Sequence, residues 1–251
     1  MALKNLLIYI NPSREFDKNT EITAKMQIEN SLELGWKIED IILITNFPYE
    51  FMGVNATVVD DSYFNTMASN STKFWAIANM FWDYLIKDEL YWVHDLDCFQ
   101  LEPIVEQEIL EEMEGRDVGI CDYGSGMQYS CGSVFFNKLA RDIFIRVKEV
   151  MEEYNTGEEK ALTALATNNL SWIFEKTGRA ENKLTLGHFG ESYYIKSKIK
   201  RINFTYNFWD SKLRRRLIEV KKPIKTIHFD IFYKLGEAGS KLDFFLGKNN
   251  L

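Results

Sequence analysis

Three bulky runs of strand length, Leu6–Ile10, Ile41–Thr45 and Tyr91–His94, constrain this chain more than anything else in it. None alternates polar with apolar, so each predicts a strand covered on both faces, as in a parallel sheet between helical layers. Helical patterns fall between them. Asn19–Leu34 places Ile22, Met26, Ile28, Leu32 and Leu34 on a rough stripe that Gly35 ends. Ala56–Val59 predicts a shorter strand, and Ser71 or Thr72 caps a helix running to Leu85. Pro103 opens a helix to about Glu114, and Val118–Cys121 and Ser133–Asn137 predict two further strands. Helices follow over Leu139–Tyr154 and from Glu158 to Thr177, before a C-terminal part of shorter elements.

Strands alternating with helices predict an α/β fold with a mainly parallel sheet and helices on both faces. At 251 residues one domain, 1–251, is expected, with a nucleotide-binding part over about 1–125 and an acceptor part over about 126–251. Ligands of such sheets bind outside the carboxyl ends of the strands, so the loops after Ile10, His94 and Cys121 are candidate site walls. Neither GxGxxG nor GxxxxGK[ST] follows any strand, which excludes a dinucleotide fingerprint and a P-loop. Three cysteines without CxxC spacing exclude a disulfide framework and a cysteine zinc site. No apolar run approaches the roughly 20 residues of a membrane span, and the apolar start reads as a strand rather than a signal peptide, so a cytoplasmic location is expected.

The acidic loop Asp95-Leu96-Asp97 follows the bulky, apolar run Tyr91–His94. Asp-X-Asp by itself is common, but a buried strand here delivers two carboxylates to one sheet edge. Hard carboxylate oxygens suit Mg²⁺ or Mn²⁺, which bridge them to phosphate oxygens. Far downstream, Ile224–Phe229 is a strand-like run carrying His228, one of only three histidines, whose imidazole can complete such a site. The bland readings are a turn capped by one aspartate and a structural histidine beside apolar residues.

The order Tyr-Trp-Val-His-Asp-Leu-Asp, Ser-Cys-Gly-Ser-Val-Phe-Phe-Asn, Thr-Tyr-Asn-Phe-Trp, then Ile-His-Phe and a lysine resembles glycosyltransferase family 8 and its GT-A relatives. The resemblance runs from about Asn5 to Lys234. It implies a GT-A fold and a metal-dependent hexosyltransferase using a nucleoside-diphosphate sugar, UDP-linked, with retention of configuration. Carried over by position, Asp95, Asp97 and His228 become ligands of Mn²⁺ or Mg²⁺, with Asp95 also at the donor, and Lys234 contacts the diphosphate. Tyr9 and Asn11 fall at the nucleoside, Phe16 at the base, and Lys73 near a basic donor-binding position. Gly132 and Ser133 match the segment lining the sugar, and Glu158 and Glu159 fall beside the reacting carbon. Ile231, Leu235-Gly236 and Ser130-Cys131 depart from the family's motifs in the sugar pocket and phosphate loop.

A second reading rests on charge. From Lys196 to Lys225 eleven Lys or Arg face two acidic residues, in a chain of net charge −7. Such a segment attracts an anion: the donor diphosphate, a nucleic acid or an anionic lipid surface. The alternatives are therefore a transferase acting on a nucleic-acid base, or a nucleic-acid or anionic-surface binding protein. The acceptor classes left open are a glycan, a lipid-linked glycan and modified nucleic acid.

Overall fold

The first apolar run, Leu6–Ile10, folds in part as β1 (Leu3–Ile8), which starts three residues earlier and leaves Tyr9 and Ile10 beyond its end. Leu6 and Leu7, on the strand's opposite faces, are both fully buried. That two-sided burial is what the unbroken run predicts. A computed structural model describes residues 2–122, 129–167, 195–209 and 223–228. After β1 come α1 (Lys18–Glu33), β2 (Ile41–Thr45), β3 (Glu50–Phe51), β4 (Val54–Val58), α2 (Thr72–Trp82) and β5 (Leu90–His94). Then follow β6 (Cys98–Gln100), α3 (Glu106–Met113), β7 (Val118–Asp122), β8 (Tyr129–Asn137), α4 (Arg141–Tyr154) and α5 (Glu158–Thr167). β9 (Ile199–Arg201), β10 (Phe208–Trp209) and β11 (Thr226–His228) complete the described strands.

The main sheet runs β3-β4-β2-β1-β5-β8-β7-β9. Its β4, β2, β1 and β5 are parallel, as expected, whereas β8 pairs antiparallel with both β5 and β7. The six residues between β7 and β8 are too few for the crossover that a parallel pair needs. On one face, α2, α4 and α5 bury Phe74, Phe81, Phe144 and Leu162 against Leu6, Val93 and Phe136. On the other, α1 packs Ala24 and Ile28 on Leu7 and Leu43, while α3 and a small sheet cover Trp92 and Phe135. None of the described helices is long and apolar enough to cross a membrane.

Two expectations are corrected. Ile22 of the predicted α1 stripe is 41% exposed, and the buried face is instead Thr20, Thr23, Ala24, Gln27, Ile28 and Ser31. Hydrophobicity cannot reveal that face, because its polar groups are hydrogen-bonded, Thr20 and Thr23 within the helix and its cap and Gln27 and Ser31 also to distant partners. The small sheet, order β10-β11-β6, contains a three-residue strand at Cys98–Gln100 that no pattern predicts. Its antiparallel register sets His228 opposite Cys98.

Candidate metal and donor site

β5 ends at His94, and Asp95, Leu96, Asp97 and Cys98 form a turn closed by Cys98 N donating to Asp95 O at 2.9 Å. Asp95 N donates to Gly132 O on β8, also at 2.9 Å, so the turn is anchored to the neighbouring strand. The β6–β11 register then brings in the histidine. His228 Nε2 lies 3.0 Å from Asp97 Oδ1 and 3.6 Å from Asp95 Oδ2. One ligand atom from each of the three residues falls within 4.8 Å of the others. Asp97 and His228 are buried; the Asp95 side chain is 40% exposed at the rim.

Three features of the protein fit a hard divalent cation here. Two carboxylates and an imidazole are the donor set such an ion accepts. Gly132 has no side chain where one would run into the His228 ring: an added Cβ would lie 2.5 Å from Cε1 and closer still to Nδ1. Beside that point Asn207 is fully buried, its Nδ2 donating to Ser130 Oγ at 2.8 Å while its Oδ1 has no partner among the described residues. Asn207 Oδ1, beside the His228 ring but not hydrogen-bonded to it, is an acceptor of the kind that metal-bound histidines use.

Lys73, on the first turn of α2, is buried and reaches Asp95, Glu158 and the Cys131 carbonyl. Burial opposes its charge, but Asp95 outweighs it, joined by Glu158 once that group ionises, and its pKa lies above the ordinary value. Burial likewise acts against ionised Asp95, and Lys73 and His228 reverse the effect, holding this carboxylate below its usual range. His228 loses by burial and gains more from Asp97, so its pKa is raised. His94 is different. Burial takes it down to about 4, leaving a neutral ring with one N–H. In the Nδ1–H tautomer that N–H donates to the Asp95 carbonyl at 2.9 Å, and Nε2 lies 2.9 Å from Asn5 Oδ1. A half-turn of that amide presents its NH2 to Nε2, at the expense of the bond that Asn5 Nδ2 makes to Ser31 Oγ at 2.8 Å.

The two glutamates, equivalent in sequence, are not equivalent in the fold. Glu159 faces the cleft and accepts from Cys131 N at 3.0 Å. Glu158 is buried between α2 and α5, with Oε2 at 3.4 Å from Phe74 N. Burial first, and Asp95 and Glu159 next, push its carboxyl from 4.5 up to about 8, against the pull of Lys73. The native state therefore binds a proton that the unfolded chain releases above pH 4.5, so this group erodes stability as pH rises toward 8. Glu158→Gln is expected to melt near the wild-type temperature at pH 4.5. It should melt several degrees higher at pH 8, a gain on the order of 1–3 kcal/mol. An equal difference at both pH values would refute the burial account.

The remaining expected site residues separate clearly. Tyr9, Lys73, Asp95, Asp97, Glu159 and His228 line one cleft of about 390 Å³ at the carboxyl ends of β1 and β5. Asn11 borders it, donating to Tyr9 Oη at 2.7 Å. Phe16 stacks on Tyr9 with ring centroids 4.7 Å apart and meets Phe47 and Tyr49 edge-on, so one face of its ring is already covered. Ser133 is corrected: its hydroxyl accepts from Trp92 Nε1 at 2.8 Å in the core, so its side chain is not offered to a sugar. Lys234 and the run 210–222 lie outside the described residues. Of the basic segment, Lys198 pairs with Asp117, Lys200 with Glu114 and Lys225 with Glu108, all at 3.2 Å or less. Sequence reasoning missed Asn5, Gln27 and His94, and gave Asn207, which lies in the Thr-Tyr-Asn-Phe-Trp segment of the resemblance, no role.

Among solved structures, a glycosyltransferase involved in the glycosylation of the major capsid of PBCV-1 superposes with a TM-score of 0.54 at 12% identity. The match covers 99% of this chain and 100% of that one. An active-site mutant of LgtC gives 0.53 at 12% identity, over 90% of this chain and 87% of that one. The fold is that of the GT-A glycosyltransferases. The glycosyltransferase GlyE of Streptococcus pneumoniae TIGR4 gives 0.52 at 12% identity, over 90% of this chain and 54% of that one. No protein-family model matches the sequence, and no curated protein does. Likeness at these identities speaks for the GT-A fold, and the chemistry rests on the residues at the ends of β1 and β5.

Proposed function

We propose that this protein is a metal-dependent glycosyltransferase that moves a hexose from a nucleoside diphosphate, UDP by resemblance, to an acceptor hydroxyl with retention. The observation that carries the reading is the convergence of Asp95, Asp97 and His228 at the carboxyl end of β5 in a GT-A fold. Asp95 and Asp97 would hold Mn²⁺ or Mg²⁺ with their carboxylate oxygens and His228 with Nε2. A bound divalent cation supplies positive charge to the diphosphate as its bond to the anomeric carbon breaks.

The chain's own residues do the rest. The Lys73 ammonium, already balanced by Asp95, adds fixed positive charge next to the phosphates. Tyr9 and Asn11 edge the far end of the cleft, where the nucleoside lies in this reading. Glu159 is the carboxylate turned to the cleft, so it stabilises charge at the sugar. Glu158, held neutral up to about pH 8, ties α2 to α5 instead. Lys234 is carried as a diphosphate contact by resemblance. The nucleic-acid or anionic-surface reading is not favoured by the described part of the segment, where Lys198, Lys200 and Lys225 make internal ion pairs.

Calorimetric titration of UDP tests this. Binding should be at least tenfold tighter with Mn²⁺ than with chelator, and Asp97→Ala should erase the difference. Silence of UDP, GDP and TDP under every metal condition would sink the reading.

A further inference from the structure

Helix α1 turns a polar stripe into the interior. Thr20, Thr23, Gln27 and Ser31 recur at helical spacing, and each is at most 2% exposed. Buried amides and hydroxyls cost free energy unless they are bonded; Thr20 and Thr23 bond within α1 and its cap, whereas the bonds of Gln27 and Ser31 lead to one place. Gln27 Nε2 donates to Leu96 O and to Cys98 O, both at 2.9 Å. The Ser31 hydroxyl bonds the Gln27 carbonyl at 2.7 Å and the Asn5 amide at 2.8 Å. Asn5 Oδ1 lies 2.9 Å from His94 Nε2, and in the Nδ1–H tautomer His94 donates to Asp95 O at 2.9 Å. Trp92 lies flat on the His94 ring, with centroids 4.0 Å apart, and prevents it from turning.

Three carbonyls of the Asp95–Cys98 turn are therefore held from behind by side chains, two by Gln27 and one by His94. On its open side the same turn carries the Asp95 and Asp97 carboxylates, which meet Lys73 and His228. We propose that Gln27 and His94 are positioning residues that fix the backbone of this turn, so that Asp95 and Asp97 converge before any cation arrives. The inference rests on the metal reading for its purpose. Its geometry does not. A neutral donor suits the task, because a cation at position 27 would compete with the metal for the carboxylates. No short-range pattern announces the clamp, since its donors sit in α1 and β5 and its anchor in β1.

The test uses Gln27→Met, which keeps the length and removes the donor, and the pair His94→Leu and His94→Gln, of which only the second can still donate to the Asp95 carbonyl. In metal-free protein, hydrogen exchange at the Cys98 amide should quicken at least tenfold in Gln27→Met and His94→Leu. Exchange at Leu43 and Ile44 of β2 should stay unchanged. Mn²⁺ affinity, read from the paramagnetic resonance of free Mn²⁺, should fall 10- to 100-fold in these two variants. His94→Gln should stay within about threefold of wild type. If Gln27→Met does not fold, the His94 pair decides alone. Wild-type exchange at Cys98 in both disrupting variants would overturn the clamp. So would unchanged Mn²⁺ affinity in both, when wild type binds the ion and Asp97→Ala does not. If wild type itself fails to bind Mn²⁺, the metal reading falls, and the exchange rates still decide the clamp.

Discussion

Gly132→Ala should lower Mn²⁺ affinity by about 100-fold while leaving the protein folded. The new Cβ would stand 2.5 Å from His228 Cε1 and 3.2 Å from Asn207 Oδ1, distances that require something to move. β8 cannot give way easily, because it is paired on both sides, by β5 and by β7. The backbone of His228 is fixed by its pairing with Cys98, so the ring must rotate, and rotation carries Nε2 away from Asp97. Overpacking of this kind costs about 1–3 kcal/mol, a few degrees of melting temperature for a chain of this size. Paramagnetic resonance of free Mn²⁺ beside a thermal melt separates the two effects. Affinity close to wild type would mean that His228 does not need its present seat. An affinity as poor as that of His228→Ala would locate the loss in the ring.

The largest effect on stability is expected at Trp92. Its side chain is fully buried, stacks on His94, and lies parallel to Trp36 and Phe135 at centroid distances of 6.1 Å each. Its indole N–H is the donor to Ser133 Oγ. Trp92→Ala removes the apolar contact and leaves a cavity between the sheet and the layer of α3 and the small sheet. The cost should be about 3–5 kcal/mol, or about 10 °C or more in melting temperature. Trp92→Phe keeps a ring against His94 but leaves a buried hydroxyl without its donor, a smaller cost of about 1–3 kcal/mol. Urea titrations of the three proteins at one pH check the order. Equal midpoints for Trp92→Ala and wild type would mean that this layer contributes little to folding.

The buried strands and the acidic turn were legible in the chain, and for one reason: each is a local pattern. Leu6–Ile10, Ile41–Thr45 and Tyr91–His94 are continuous because the strands they form are covered on both faces, and solvent leaves no alternation in such a run. Asp95 and Asp97 could be placed at a sheet edge because they directly follow one of these strands. The antiparallel course of β8 could have been deduced too, from the shortness of its connection to β7, although the alternation of strands and helices pointed to a parallel neighbour.

Long-range pairing decided the rest. His228 stands 131 residues from Asp97, and what joins them is the register of two three-residue strands too short to carry a periodic signal. Glu158 and Glu159 differ only in which way each points from the first turn of α5, so one is sealed against α2 and the other faces the cleft. Gln27 and Ser31 look like solvent-facing positions of an amphipathic helix, and Ile22 like a core residue, until β1 and the turn after β5 lie against that helix. Amino-acid patterning records where each element meets water. The partner of a buried polar group lies on another element, so its identity exists only in the assembled fold.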